Sequence, residues 1–307
     1  MGVTNQVTDL LERISNHYVV RNLRHGLGVL FSDRTTALYF SIIVLILFLA
    51  IAGPALTTYK YDERIYTDDG ELVRSASPSI AHPLGTTSVG HDVFSRVVYG
   101  ARPTSITGLL GGTLIISIGL FVGVTAGYIG GWVENILMRI TDFAYGVPLI
   151  PFAIVLLSFF EVGFISSVVV IGLVLWRGSA RVIRSQVLQI KQRPYILAAK
   201  ATGAGTPRII VKHILPNVAS MAFLFFALGI GYSIIIQASL AFLGLTNPFV
   251  PSWGIMIRNA YQSGQMTEVW WWSVAPGILI SLTVLSTYMI GRRFEGADSM
   301  ETATVEG

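Results

Sequence analysis

The sequence predicts an all-α membrane protein with six transmembrane helices. Of its 307 residues, 52% are hydrophobic and only 12% are charged, about half of the roughly 25% charged residues in a typical soluble domain. Six long stretches contain no Lys, Arg, Asp or Glu, and a helix needs about 20 apolar residues to cross a bilayer. The predicted spanning segments are 37–56, 106–129, 140–160, 162–177, 217–240 and 273–291.

The distribution of basic residues predicts that both ends of the chain lie in the cytoplasm. With the N-terminus inside, 15 of the 21 Lys and Arg residues fall in internal segments and 6 in external ones, as is typical of cell-membrane proteins. The first apolar run begins too late for a secretory signal peptide, so we expect it to be retained. The predicted divisions are a cytoplasmic amphipathic segment 1–36, a first transmembrane helix 37–56, an extracytoplasmic loop 57–103, a core 104–291 and a cytoplasmic tail 292–307. Within the tail, the small and acidic residues 296–307 are typical of a disordered segment.

The segment between the fourth and fifth spans, about 190–212, contains residues that start and end helices, which a loop that is only basic would not require. Pro194 suits the first turn of a helix, where its missing N–H costs nothing. The next residues are compatible with two helical turns, and Gly203 is placed to end them in a left-handed conformation. Thr206 is then placed to cap a second helix, before Pro216 marks the start of the fifth span. We expect a short alanine-rich helix at the membrane surface, which another protein can approach closely.

Several sequence blocks resemble the permease subunits of bacterial and archaeal ABC importers. Residues 195–205 (YILAAKATGAG) and 208–217 (RIIVKHILPN) are similar to the loop that couples such permeases to their ATPases. Four further blocks resemble segments of the dipeptide, oligopeptide and nickel group, namely 82–86 (HPLGT), 127–132 (GYIGGW), 239–245 (SLAFLGL) and 251–254 (PSWG). The resemblance extends over about 37–294 and is strongest to the C-type subunit of that group.

The resemblance implies a non-catalytic transmembrane subunit of an ATP-driven importer of dipeptides or oligopeptides, with nickel chelates or oligosaccharides as alternative cargo. The implied partners are a homologous sister permease, two ATPase subunits, an extracytoplasmic substrate-binding protein and the lipid membrane, with no nucleic acid. ATP and Mg²⁺ would be held by the ATPase subunits, since this chain contains no GxxxxGK[ST] phosphate-binding loop and implies no cofactor of its own. The implied ATPase-docking residues are Tyr195, Leu197, Ala198, Ala199, Lys200, Ala201, Gly203 and Ala204.

The docking helix departs from the family pattern at one position. Leu197 stands where the family usually has a glutamate before the paired alanines. Docking would then depend on apolar burial of Leu197 and the small alanines, which does not require a salt bridge. Before the core, Thr87 stands where an aspartate is common, and His91 where an arginine is common.

Polar residues within apolar spans are costly and therefore informative. In the fifth span they are candidates for the translocation pathway, or else are satisfied by neighbouring helices, and they comprise Tyr232, Ser233, Gln237 and Ser239. Arg139 and Asp142 are three residues apart and predict an ion pair within one helix. Gly119, Gly123 and Gly127 predict a face of close packing, either inside the bundle or against the sister permease.

The external loop contains a predicted turn at Asp69-Gly70 and two histidines. The turn is compatible with a small hairpin or lid that meets the binding protein, or with a solvated loop. His82 and His91 are nine residues apart without a third grouped donor, so we interpret them as ordinary loop histidines rather than metal ligands.

Two other functional classes compete with the permease hypothesis. A self-contained channel or secondary transporter would be expected to show ionisable residues deep in several spans and an internal repeat, and the sequence shows neither. A membrane-embedded hydrolase would need a catalytic motif such as GxSxG or HExxH, and the sequence has no such motif and no cysteine. The sequence therefore predicts no catalytic and no metal-binding residues.

Overall fold

The computed structural model describes residues 31, 33–159 and 163–305, whose regular elements are all helices. Most of the predicted amphipathic segment 1–36 lies outside the described residues. The helices are α1 (Arg34–Leu56), α2 (Val93–Ile129), α3 (Gly131–Gly146), α4 (Leu149–Phe159), α5 (Phe164–Ile190), α6 (Pro194–Ala201), α7 (Thr206–Ile209), α8 (Leu215–Asn217), α9 (Ala219–Phe242), α10 (Trp253–Gln262) and α11 (Trp271–Val305). A π-helical turn, Ile210–Ile214, joins α7 to α8.

Five helices of the described chain are long and apolar enough to cross a membrane, namely α1, α2, α5, α9 and the Trp271–Glu295 part of α11. The third predicted span, 140–160, is instead divided between α3 and α4, which meet at 96°. Counted as one broken span, this pair brings the total to the predicted six. An unbroken helix over 140–160 was wrong, because Pro148 at the break lacks the N–H that would continue the helical hydrogen bonds.

Two helix ends also differ from the sequence-based expectation. α2 begins at Val93, inside the predicted loop 57–103, because Asp92 caps it by accepting the backbone N–H of Ser95 at 2.7 Å. At the other end of the chain, the backbone of α11 continues to Val305.

The bundle is built around α2, which contacts α1, α3, α5, α9, α10 and α11. The predicted glycine face of α2 packs inside the bundle, against α5. A Cβ atom at Gly123 would lie 2.6 Å from the carbonyl oxygen of Ala180, and one at Gly119 would overlap the hydroxyl of Ser179. Gly127 meets α5 one helical turn further along. Close approach of two backbones explains these glycines, and the intramolecular alternative is confirmed.

The segment 57–92, which we call the hairpin loop, folds against the end of the bundle opposite α6. Tyr66 and Leu72 form an antiparallel bridge, and the predicted turn lies between them, with Gly70 at a φ of 81°. Of the two possibilities left open by the sequence, a small hairpin is the one observed.

Buried side chains fix the hairpin loop to the bundle. The indole Nε1 of Trp271 donates to the carbonyl oxygen of Thr86 at 3.2 Å. His82 is buried, and its Nδ1 lies 3.0 Å from Oδ1 of Asp92, the residue that caps α2. Among the residues that the structure describes, no three His, Asp or Glu side chains are grouped as a metal site would require. His82 is thus part of the packing between the loop and α2.

His91 is expected to make the stability of the loop depend on pH. Its Nδ1 lies 2.9 Å from Nη1 of Arg96, so the neutral ring accepts from the guanidinium. Burial, together with the charges of Arg96 and Arg64, lowers the pKa of His91 from 6.5 to about 4. Between those values the unfolded chain binds more protons than the folded chain, so stability falls as the pH decreases from 6.5 towards 4.

The His91→Gln variant is expected to remove this contribution. Thermal unfolding of the detergent-purified protein, measured at pH values from 7.5 to 5, should give a melting temperature that falls less steeply for the variant than for the wild-type chain. Identical slopes for the two proteins would show that His91 does not titrate as its surroundings indicate.

Candidate coupling and translocation site

Helix α6 begins and ends as its sequence predicts. Pro194 is its first residue, where a backbone N–H is not needed. Past its other end, Gly203 has a φ of 83°, a backbone conformation that glycine adopts without steric cost. The N–H of Gly203 donates to the carbonyl of Lys200, and the N–H of Ala204 donates to that of Ala199, both at 3.0 Å. This paired bonding is a Schellman motif, which stops the helix and turns the chain sharply.

Ile196 is the one buried side chain of α6 and packs the helix against the bundle. It is 0% exposed and belongs to a cluster, here called the anchor cluster, that joins α6 to α2, α5 and the following segments. The other buried members of the anchor cluster are Ile116, Val124, Tyr128, Ile183, Val187, Ile190, Ile209, Ile214 and Val218. Sequence reasoning missed Ile196, because eight residues with one isoleucine show no periodicity that distinguishes a buried face.

The predicted docking residues of α6 are mostly exposed. Leu197 is 54% exposed and Tyr195 is 40% exposed. The remaining exposed members are Ala198, Lys200, Ala201 and Gly203, whereas Ala199 and Ala204 are half-buried. The helix therefore presents a surface of small and apolar side chains opposite its anchor.

Tyr128, at the end of α2, forms a second contact between the loop and the bundle. Its ring centroid lies 5.3 Å from Nζ of Lys200 and 5.8 Å from Nζ of Lys191. Ammonium groups at these distances are attracted to the face of an aromatic ring. The two lysines therefore help to fix α6 over the ends of α2 and α5.

The chain leaves α6 through a distorted helical segment. Gly205 is the N-cap of α7 and Thr206 is its first residue, so the predicted capping role of Thr206 was wrong. The N–H of Leu215 donates to the carbonyl of Ile210, five residues back. Pro216 supplies no N–H, and in a regular α-helix its ring would clash with the carbonyl four residues back. The π-helical turn before Pro216 is one way for the chain to avoid that clash.

Carboxylates of α3 pair with arginines of α5. Asp142 accepts from Nη2 of Arg181 at 2.6 Å, and Glu134 accepts from Nε of Arg184 at 2.7 Å. The predicted pair between Asp142 and Arg139 was therefore wrong. Spacing along α3 permitted that pair, but the packing of α3 on α5 supplies a different guanidinium.

A cavity of about 190 Å³ lies where α2, α3, α5 and α9 meet. Its walls are mainly apolar, with two tyrosines and one charged residue, Arg177. The lining residues are Ile115, Tyr145, Leu175, Arg177, Gly178, Ser179, Phe225, Leu228, Gly229 and Tyr232. Concave, largely apolar sites with a few polar groups are where small ligands bind. Tyr145 and Arg177 were not singled out from the sequence, because they come together only when α3 packs on α5.

The four polar residues predicted for the pathway divide between two faces of α9. Tyr232 is 55% exposed and lines the cavity. Ser239, seven residues further, lies on the same face and is half-buried. Ser233 and Gln237 are buried on another face, where Nε2 of Gln237 lies 3.4 Å from Oγ of Ser252. The structure thus places Tyr232 at the cavity, and Ser233 and Gln237 in helix packing.

Comparison with known proteins gives concordant matches. A model of the family described as "binding-protein-dependent transport system inner membrane component" matches residues 119–297. The chain is 35% identical to the dipeptide transport system permease protein DppC of Bacillus subtilis (strain 168) over 258 residues, 83% of this chain and 78% of that protein. It is 36% identical to the glutathione transport system permease protein GsiD of Pectobacterium atrosepticum over 247 residues, 80% of this chain and 81% of that protein.

Among solved structures, the inward-facing MetNI methionine ABC transporter matches with a TM-score of 0.46 and 21% identity, covering 65% of this chain and 96% of that one. The family resemblance of the sequence blocks is confirmed by the family model and by the two permeases, and with it a location in the membrane. The chain is a permease, and it belongs to the family of inner membrane components of binding-protein-dependent transport systems.

Proposed function

We propose that this chain is a non-catalytic subunit of an ATP-driven importer, with α6 and both chain ends on the cytoplasmic side. The observation that carries the proposal is the construction of α6, in which a buried Ile196 lies beneath an exposed surface of Tyr195, Leu197 and Ala198. An ATPase subunit can bury such a surface without a salt bridge. A second ATPase subunit would dock on a homologous sister permease, and ATP and Mg²⁺ would be held by the ATPase pair.

The proposed cargo is a dipeptide or a short oligopeptide, delivered by an extracytoplasmic substrate-binding protein. Support comes from the relatives, which are named for the transport of dipeptides and of glutathione, itself a tripeptide. The cavity beside Tyr232 would form this chain's half of the translocation pathway, and the sister permease would contribute the other half.

The anchor cluster provides the mechanical connection from the docking surface to the cavity. Ile196 packs with residues of α2 and α5, and both of these helices also line the cavity. Close-packed interiors transmit displacement because they contain few voids. Closure of the ATPase subunits would therefore move α2 and α5 together and bias the permease between its inward-open and outward-open states.

The Ala198→Arg variant tests the proposed docking surface. Ala198 is exposed whereas Ala199 is half-buried, so arginine at 198 changes the surface without disturbing the anchor. A long charged side chain there should keep the ATPase from approaching closely. We expect the amount of ATPase that co-purifies with the permease to fall to about a tenth, since a loss of 1.4 kcal/mol changes an association constant tenfold.

The matched control is Ala81→Arg, which places the same side chain at an exposed alanine of the hairpin loop. This variant should retain the wild-type yield of ATPase. Equal recovery of ATPase with Ala198→Arg and Ala81→Arg would refute docking at α6. The same conclusion would follow if the wild-type chain bound no ATPase at all.

A further inference from the structure

Three arginines on one side of α5 differ in their partners. Arg181 and Arg184 each pair with a carboxylate of α3. Arg177, one turn closer to the middle of α5, has no carboxylate partner among the residues that the structure describes. Its Nη1 instead donates to two backbone carbonyls at the break between α3 and α4, those of Ala144 and Val147, the latter at 3.3 Å.

These contacts hold Arg177 in place without neutralising it. The ring of Tyr145 lies 5.0 Å from its Cζ atom, and this stacking further restricts the side chain. A guanidinium carries five N–H donors, and both carbonyl contacts use the same nitrogen. Nε and Nη2 of Arg177 remain available to a ligand, in an orientation that is already fixed. Pre-organisation of this kind lowers the entropy that is lost on binding.

The unneutralised charge of Arg177 lies at the wall of the cavity. Besides Arg177, the polar residues of its lining are Tyr145, Tyr232 and Ser179, and the hydroxyl of Ser179 donates to the carbonyl oxygen of Trp176 at 2.8 Å. A cation beside mainly apolar walls attracts an anion more strongly than it would in water. The volume of about 190 Å³ is below the roughly 300–1,000 Å³ of pockets for drug-sized ligands. The cavity therefore suits one end of a peptide rather than a whole oligopeptide.

We propose that Arg177 binds the carboxylate of a peptide substrate as it passes through the cavity. Guanidinium is the side chain that best matches a planar carboxylate, through two parallel hydrogen bonds. This inference rests on the proposed function. It narrows the proposed substrate class to peptides with a free carboxylate. The carbonyl contacts of Arg177 would remain in place during binding.

The test compares two substrates that differ only in that carboxylate. Trialanine and its C-terminal amide are supplied to proteoliposomes that contain the complete transporter with its ATPase subunits, sister permease and binding protein. The rate of ATP-dependent import is measured for each, in the wild type and in the Arg177→Gln and Arg177→Lys variants. Because the same binding protein serves every sample, its own selectivity cancels when the acid-to-amide rate ratios are compared between variants.

We expect Arg177→Gln to lower the acid-to-amide ratio about tenfold, the effect of losing one charge-assisted interaction of roughly 1.4 kcal/mol. Arg177→Lys keeps the charge, so its acid-to-amide ratio should lie between those of the wild type and Arg177→Gln. A loss of helix packing alone would slow both substrates equally and leave the ratio unchanged. The matched control is Arg184→Gln, since Arg184 pairs with Glu134 and does not line the cavity, and it should keep the wild-type ratio.

Two results would overturn the inference. One is an unchanged ratio in Arg177→Gln while ATP-dependent import continues, which would leave the proposed function intact. The other is a change in ratio that appears only in vesicles with anionic lipid and not in phosphatidylcholine alone, which would identify a lipid phosphate as the anion. Failure of the wild-type complex to import any peptide with ATP would instead refute the proposed function, and the inference with it.

Discussion

The Ile196→Asp variant is expected to lower import at least tenfold while leaving the permease in the membrane. Ile196 is 0% exposed within the anchor cluster, and an unpaired carboxylate buried there would cost several kcal/mol. α6 has only eight residues, so it is too short to persist as an isolated helix in water. The helix should detach from α2 and α5 rather than bury the charge. ATP hydrolysis would then no longer move the cavity walls.

The measurement follows import and ATP hydrolysis in the same proteoliposomes. Import by Ile196→Asp should fall at least tenfold, and the loaded binding protein should no longer stimulate ATP hydrolysis. Ile196→Val keeps an apolar anchor and should retain most activity, since that change typically costs about 0.5–1.5 kcal/mol. Val211→Asp is the control for an added charge, because Val211 is 65% exposed on the same loop. Wild-type import by Ile196→Asp would show that α6 is not coupled through this side chain.

Features of this fold that depend on neighbouring residues in the chain could be predicted from the sequence. Apolar length predicts the spans, because the bilayer acts on each segment separately. Pro194 and Gly203 predict the ends of α6, because each has a strong backbone preference that needs no tertiary partner. The turn at Gly70 was predictable for the same reason.

Features that depend on tertiary partners were not predictable in this way. Asp142 has a cation three residues away along α3, yet it pairs with Arg181 because α3 packs on α5. On α9, Tyr232 faces a cavity and Gln237 faces packed helices, although both are polar residues in the same apolar run. The cavity itself is assembled from four helices, so no single segment of sequence contains its pattern.

The contact between α2 and α5 gives the second large expected effect, for the Gly123→Val variant. A Cβ atom at Gly123 would lie 2.6 Å from a backbone oxygen of α5, which cannot rotate away as a flexible side chain could. Valine adds two further methyl groups to that clash. Overpacking of this kind costs about 3 kcal/mol, which lowers a melting temperature by roughly 10 °C in a chain of this size.

The rate of import should fall in Gly123→Val even at temperatures where the protein remains folded, because Gly123 lies between the cavity and the anchor cluster. Gly119 packs on Ser179, which lines the cavity, and Gly127 packs on Val187 of the anchor cluster. Gly123 lies between them, so separating the helices there interrupts the route from α6 to the cavity.

Gly277→Val is the matched control for this comparison. Gly277 lies on α11 and does not line the cavity. A Cβ atom there would have no atom within 4 Å, so the same added side chain enters open space. Thermal unfolding in detergent and import in proteoliposomes should both remain close to the wild type. A Gly123→Val protein that melts at the wild-type temperature would mean that α2 and α5 are not as close as the structure has them. One that is destabilised but imports normally would mean that force reaches the cavity by another route.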